Sequence, residues 1–189
     1  KVAVLTLFGK LLLTLFVELQ EQWQQILVFV SIASMFVGSF GAIVQKNFKR
    51  LLAYSSIGHV GFALMGVAAA DELGVRGFLS YLGIYLTMTL AAFACLMMVK
   101  CQGEFKEDIY EDMAGLSKTN PYLAFAIAVL MLSMAGIPPL AGFFAKFYVL
   151  LPAVEKGMYG LAISGVIASV IAAYYYLMVI HFGFLLTFI

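Results

Sequence analysis

Apolar residues run in long blocks along this chain, with short polar breaks between them. Six stretches are each about long enough to cross a bilayer core, which takes roughly 20 mostly apolar residues as helix. They fall at roughly 2–17, 26–45, 51–70, 78–99, 121–151 and 158–180, and a short apolar end follows at 182–189. The breaks at 18–25, 46–50, 71–76, 100–120 and 152–157 are polar. The blocks are too long for barrel strands and lack in/out alternation, which excludes a transmembrane β-barrel. The pattern predicts an all-α, polytopic transmembrane helix bundle of about six to seven spans, forming a single membrane domain over 1–189.

Composition strengthens this reading. Of 189 residues, 64% are hydrophobic and 11% charged, and the mean hydropathy is +1.04. Soluble domains carry about 45–50% apolar and about 25% charged residues, so the lipid bilayer is the expected surrounding. A net charge of +1 leaves no basic footprint for nucleic acid. The chain begins at Lys1 inside an apolar run, without an initiator Met or a cleavable signal pattern, and the expectation is a fragment of a longer membrane protein. Cations divide unevenly between the two sets of breaks: Arg76 and Lys156 on one side, and Lys46, Lys49, Arg50, Lys100, Lys106 and Lys118 on the other. The positive-inside rule assigns the second side to the cytoplasm or matrix. The 100–120 break is acidic through Glu104, Glu107, Asp108, Glu111 and Asp112, with a helical spacing of Ile109, Met113 and Leu116. It reads as a solvated amphipathic turn or as a docking surface for a neighbouring subunit.

One block cannot be a single straight helix. Residues 121–151 would extend about 46 Å at 1.5 Å per residue, against a hydrocarbon core of about 30 Å. Pro138 and Pro139 remove two backbone donors, and Gly136 and Gly142 loosen the chain on either side. The helix is expected to split into 121–135 and 140–151, leaving carbonyls near Met134 and Ala135 without intrahelical partners. Such groups persist in a membrane only inside protein or facing water, and discontinuous helices mark ion or substrate sites in transporters. Lys146 follows the break by about two turns. A charge at this depth costs at least about 2.5–3.5 kcal/mol, so it is either a snorkelling lysine or a buried amine that takes up and releases a proton.

Two motifs carry a resemblance. NFKRLLAYSSIGHVGF at 47–62 and MLSMAGIPPLAGFFAKFY at 131–148 resemble the antiporter-like subunits of respiratory complex I. With YYYL at 174–177 they look most like the subunit N (mitochondrial subunit 2) type, over nearly the whole chain. The resemblance implies a proton-translocating NADH:quinone oxidoreductase, in a bacterial inner or mitochondrial inner membrane, beside other membrane subunits. It places a central channel lysine at Lys1 and a broken-helix lysine at Lys146, and makes 26–180 the second of two inverted five-helix repeats. It implies no cofactor in this chain, with NADH, FMN, iron–sulfur clusters and quinone on partner subunits. Sister subunits L and M usually carry His and Lys on the helix equivalent to 78–99; here FLSYLGIYLTMTLAAF at 78–93 has neither.

The residues supply a substitute path. Ser55, Ser56 and His59 share one helix face by spacing, and Tyr81, Tyr85 and Thr89 form an i, i+4, i+8 stripe. These groups suit a line of waters between two lysines, or else cross-helix hydrogen bonds alone. Ser34, Gly38 and Ala42 read as a packing stripe, Lys10 as a snorkeller, Lys49 and Arg50 as anchors, and His181 as interfacial. Cys95 and Cys101 match no metal spacing. Dinucleotide and Walker motifs are missing, which leaves proton handling as this chain's work. A subunit of a multi-subunit sodium/proton antiporter, and a purely structural bundle, are the competing readings.

Overall fold

In a computed structural model, which describes residues 1–101, 104–105 and 113–185, each apolar block is helical. The helices are α1 (Val2–Thr14), α2 (Gln20–Ile43), α3 (Phe48–Ala69), α4 (Glu72–Met98), α5 (Leu116–Thr119), α6 (Pro121–Ala135), α7 (Ala141–Glu155) and α8 (Tyr159–Leu185). A 3₁₀ turn, Val17–Leu19, joins α1 to α2. After α4 come two short antiparallel strands, β1 (Lys100–Cys101) and β2 (Glu104–Phe105). They are an addition to the all-α expectation, outside the membrane helices. The acidic run 107–112 lies outside the described residues.

Capping chemistry explains where the helices start. Asn47 accepts from the Arg50 amide at 3.0 Å and Asp71 from the Gly74 amide at 2.6 Å, satisfying donors that a helix start leaves open. Asn120 does the same for α6, with Pro121 in the first turn, where its missing N–H costs nothing. These caps lie in the polar breaks, so the helices reach further than hydropathy indicates. Asp71 starts α4 well before the expected position 78, and most of the 71–76 loop is its first turn, with Arg76 and Glu72 paired at 2.5 Å. Likewise 20–25 opens α2, Pro152 lies inside α7, and 182–185 continues α8 rather than forming a separate end.

Among the described residues, four helices, counting the 17–43 segment as one, are long and apolar enough to cross a membrane. Helices α1 and α6 are shorter and apolar. Large apolar side chains such as Phe29, Leu90 and Val170 point outward, as lipid-facing positions do when the solvent is hydrocarbon. Helix α3 differs: its apolar window is 78% buried, against 33–39% for the other three. It is the central helix of the bundle.

Small residues let α2 and α3 approach closely. A Cβ at Gly61 would lie 2.7 Å from the Ser31 carbonyl oxygen, and one at Gly38 would run into the backbone of Gly58. Ser31 donates to the Gly61 carbonyl at 2.6 Å, the kind of small-residue contact that holds membrane helices together. Gly38 and Ala42 of the expected stripe are buried, whereas Ser34 is only half-buried. Asp71 and Lys156 lie 3.9 Å apart, so the α3–α4 and α7–α8 turns sit at the same end of the bundle. One apolar cluster fills the end around Phe48, Leu96 and Leu123, and another the end around Val67, Phe78 and Leu161. Between them lies a layer of buried polar groups: Ser39, Ser55, His59, Ser133 and Lys146.

Candidate functional site

The polar layer is built around the interruption between α6 and α7. Helix α6 ends at Ala135, and Gly136 follows in the left-handed region (φ 89°), closing the last turn onto the Leu132 and Ser133 carbonyls. The chain resumes as helix at Ala141, so the expected split at Pro138 and Pro139 is observed almost to the residue. Both prolines are exposed and their mutual bond is cis. In an unbroken helix the carbonyls of Met134 and Ala135 would accept from residues 138 and 139, which are prolines and have no N–H.

Lys146 fills one of these two vacancies. Its Nζ donates to the Ala135 carbonyl at 2.7 Å and to the Ser169 hydroxyl at 2.7 Å, and lies 5.2 Å from the centre of the Phe62 ring. The residue is only 6% exposed, which rules out a snorkelling side chain. A cation here is favoured by the carbonyl end of α6 and by the ring face. Among the described residues, none of its hydrogen-bond partners is a carboxylate. The opposite end of the break is capped in return: Ser133, on α6, accepts from the Gly142 amide of α7 at 3.1 Å. Each half-helix therefore supplies a polar group that satisfies the other.

The expected Ser55/Ser56/His59 face divides into two. Ser55 and His59 turn toward α8: His59 Nε2 is 3.1 Å from the Tyr176 hydroxyl, which is also hydrogen-bonded to Ser55. His59 Nδ1 is 2.6 Å from the Tyr81 hydroxyl, and the Tyr85 ring lies 5.0 Å from the imidazole. Ser56 points to the other edge, where Lys1 Nζ donates to it at 2.5 Å and it donates to the Ala53 carbonyl at 2.6 Å. Lys1 itself is exposed, at a shallow groove lined by Val4, Leu5, Ile57 and Val60. Thr89 follows Tyr85 along α4, and its buried hydroxyl makes no hydrogen bond of normal geometry among the described residues.

His59, Ser55 and Lys146 meet at one small cavity of about 10 Å³, with Ser39, Met134 and Tyr175 also on its wall. That is room for about one water. The remaining expected groups fall elsewhere: Lys10 and His181 are exposed, and Cys95 is a half-buried free thiol. Sequence reasoning missed Ser39 and Ser133 of this layer, and also Ser169 and Tyr176, which hydrogen-bond to its members. Ser169 and Tyr176 are seven residues apart on α8 with Ala172 between them, a small-and-polar stripe that helical spacing makes visible.

Fold and site together define a class: a multi-pass membrane protein whose ionisable centre is a lysine at a discontinuous helix. The comparisons agree and narrow it. Residues 1–172 match the transmembrane family described as NADH:quinone oxidoreductase/Mrp antiporter, and the chain belongs to that family. It is 54% identical over 180 residues to NADH-quinone oxidoreductase subunit N of Paramagnetospirillum magneticum, covering 95% of this chain and 37% of that protein. It is 55% identical to subunit N 1 of Rhizobium meliloti, covering 95% and 38%. Among solved structures, a chain of respiratory complex I from Thermus thermophilus with bound aureothin superposes with TM-score 0.75 at 33% identity, covering 85% of this chain and 36% of that one. A chain of the Mrp complex from Dietzia sp. superposes with TM-score 0.85 at 25% identity, covering 96% and 33%. The chain thus spans little more than a third of the length of these curated relatives.

Proposed function

We propose that this chain is the proton-conducting part of a subunit N, in a proton-translocating NADH:quinone oxidoreductase of a bacterial inner membrane. The observation that carries the reading is the Lys146 ammonium, buried and bonded to a carbonyl that Pro139 leaves without its helical partner. Neutral dipoles and a ring face hold the charge, so among the described residues the amine has no tightly bound counter-ion to lose when it gives up a proton. Both bonds can survive deprotonation, since a neutral amine keeps two N–H groups. Lys1 and Ser56 on one edge of α3, and His59 with the shared cavity on the other, are the polar groups through which a proton would approach Lys146. Tyr85 interacts with Ser56 and lies against the His59 ring, with Tyr81 and Thr89 beside it on α4. Residues 26–180 act as the second inverted repeat, and the neighbouring membrane subunits of the complex are its partners. NADH, FMN, iron–sulfur clusters and quinone reside on partner subunits, whose redox chemistry drives the protons. The antiporter alternative shares the fold, but identity of 54–55% to subunit N against 25% to the Mrp chain favours the oxidoreductase.

The test is Lys146→Arg in the complete complex, read as NADH-driven proton uptake by membrane vesicles per assembled complex. Arginine keeps the charge but does not deprotonate in proteins. The expected outcome is an assembled complex that has lost coupled proton uptake. Near-normal uptake would remove Lys146 from the proton path.

A further inference from the structure

His59 has a hydroxyl on each ring nitrogen, Tyr81 at 2.6 Å and Tyr176 at 3.1 Å. A neutral imidazole has one N–H and one lone pair. One tyrosine must therefore donate and the other accept. Tyr176 is also hydrogen-bonded to Ser55, and its single hydroxyl proton serves only one of its neighbours at a time. The Tyr175 hydroxyl interacts with those of both Tyr176 and Ser55 and extends the cluster along the cavity wall.

Two of the arrangements that this geometry allows have the same number of protons and differ along the line from Ser55 to Tyr81. In the first, Ser55 donates to Tyr176, Tyr176 donates to Nε2, and Nδ1–H donates to Tyr81. In the second, Tyr81 donates to Nδ1, Nε2–H donates to Tyr176, and Tyr176 donates to Ser55. They differ at the cavity that Ser55, His59 and Lys146 share. In the first, Ser55 presents lone pairs to the cavity, which suits an ammonium. In the second its proton is released to point into the cavity, which suits the lone pair of a neutral amine.

We propose that Tyr176 is the positioning residue that links the tautomer of His59 to the proton on Lys146, by way of Ser55. The inference rests on the proton-path reading and adds a direction to it. From the first arrangement, a proton leaving Lys146 crosses the cavity to Ser55, the Ser55 proton passes to Tyr176, and the Tyr176 proton passes to Nε2. Each oxygen gains one proton and gives one up; ammonium becomes amine, and imidazole becomes imidazolium. Tyr81, whose hydroxyl is hydrogen-bonded to His59 alone among the described residues, ends the line.

The experiment uses the whole complex with isotope-labelled histidine, and His59→Gln identifies the infrared bands of His59. With Tyr176 present, replacing Lys146 by Met is expected to shift the tautomer bands. In Tyr176→Phe, which keeps the ring packed at 4.5 Å from Tyr175, the same replacement is expected to leave them unmoved. The rate of NADH-driven proton uptake in Tyr176→Phe should fall by up to about tenfold, the upper range for one lost hydrogen bond. Ser55→Ala breaks the link from its other side and should reproduce both results. His59 bands that still respond to Lys146→Met without the Tyr176 hydroxyl would overturn the proposal. That outcome is separable from failure of the proton-path reading, which shows instead as normal uptake in Lys146→Arg.

Discussion

Gly136 stands at the break for two reasons, and substituting it separates them. Its φ of 89° lies in the left-handed region, where an L-residue costs about 1–2 kcal/mol. In addition, a Cβ at this position would lie 3.0 Å from Lys146 Cδ and 3.2 Å from its Nζ. Those atoms belong to the far end of a flexible side chain, so the lysine would yield, and its bonds to Ala135 and Ser169 would lengthen. Gly136→Ala is thus expected to lower stability by about 1–2 kcal/mol from the backbone alone and to reduce proton uptake through the displaced ammonium. Gly136→Asn separates the two effects, because asparagine tolerates this backbone region better but carries the same Cβ. Its melting temperature should recover most of the loss, while its proton uptake should stay as low as that of the alanine variant. Melting of the purified complex and vesicle proton uptake are the two readouts. If Gly136→Asn restored stability and uptake together, the Lys146 contact would have no functional weight, and backbone strain alone would account for the loss in Gly136→Ala.

Two further substitutions set the scale. Ser133→Ala leaves the buried Gly142 amide without its acceptor; a cost of about 1–3 kcal/mol should appear as a lower melting temperature, and an unchanged one would contradict the cap. Lys156→Ala removes a partly exposed pair at 3.9 Å and should cost less than about 1 kcal/mol; a large drop in melting temperature would mean that this pair holds the two turns together.

What was legible in the sequence divides along physical lines. Spans follow from hydropathy, and the break follows from two prolines in a block too long for one helix; both are local properties. The starts of α3 and α4 were misplaced because Asn47 and Asp71, which cap them, look like loop residues until a helix is known to follow. The splitting of Ser55 from Ser56 was hidden for another reason. Adjacent residues on a helix differ by about 100° in direction, so a shared face by spacing still leaves each to find its own neighbour. Ser55 found Tyr176, 121 residues away, and Ser56 found Lys1, 55 residues away. Ser169 was passed over because a serine on an apolar helix usually bonds within its own chain turn, as Ser164 does to the Gly160 carbonyl at 2.7 Å, and only its spacing from Tyr176 marks it.

The helix break solves two membrane problems with one contact. An interrupted helix exposes carbonyls that hydrocarbon cannot satisfy, and a buried ammonium needs acceptors that hydrocarbon cannot supply. Placing Lys146 on the helix after the break lets each deficit satisfy the other, at 2.7 Å. The solution has a cost that is itself informative. Restoring a continuous helix would remove the acceptor, and neutralising the lysine for good would weaken the hold on the carbonyl, so neither half can change alone without loss. A purely structural bundle would avoid both problems by keeping an apolar residue at 146 and no prolines at 138 and 139. A proton residing on Lys146 for part of the time, as proposed, would give this otherwise avoidable pair a use.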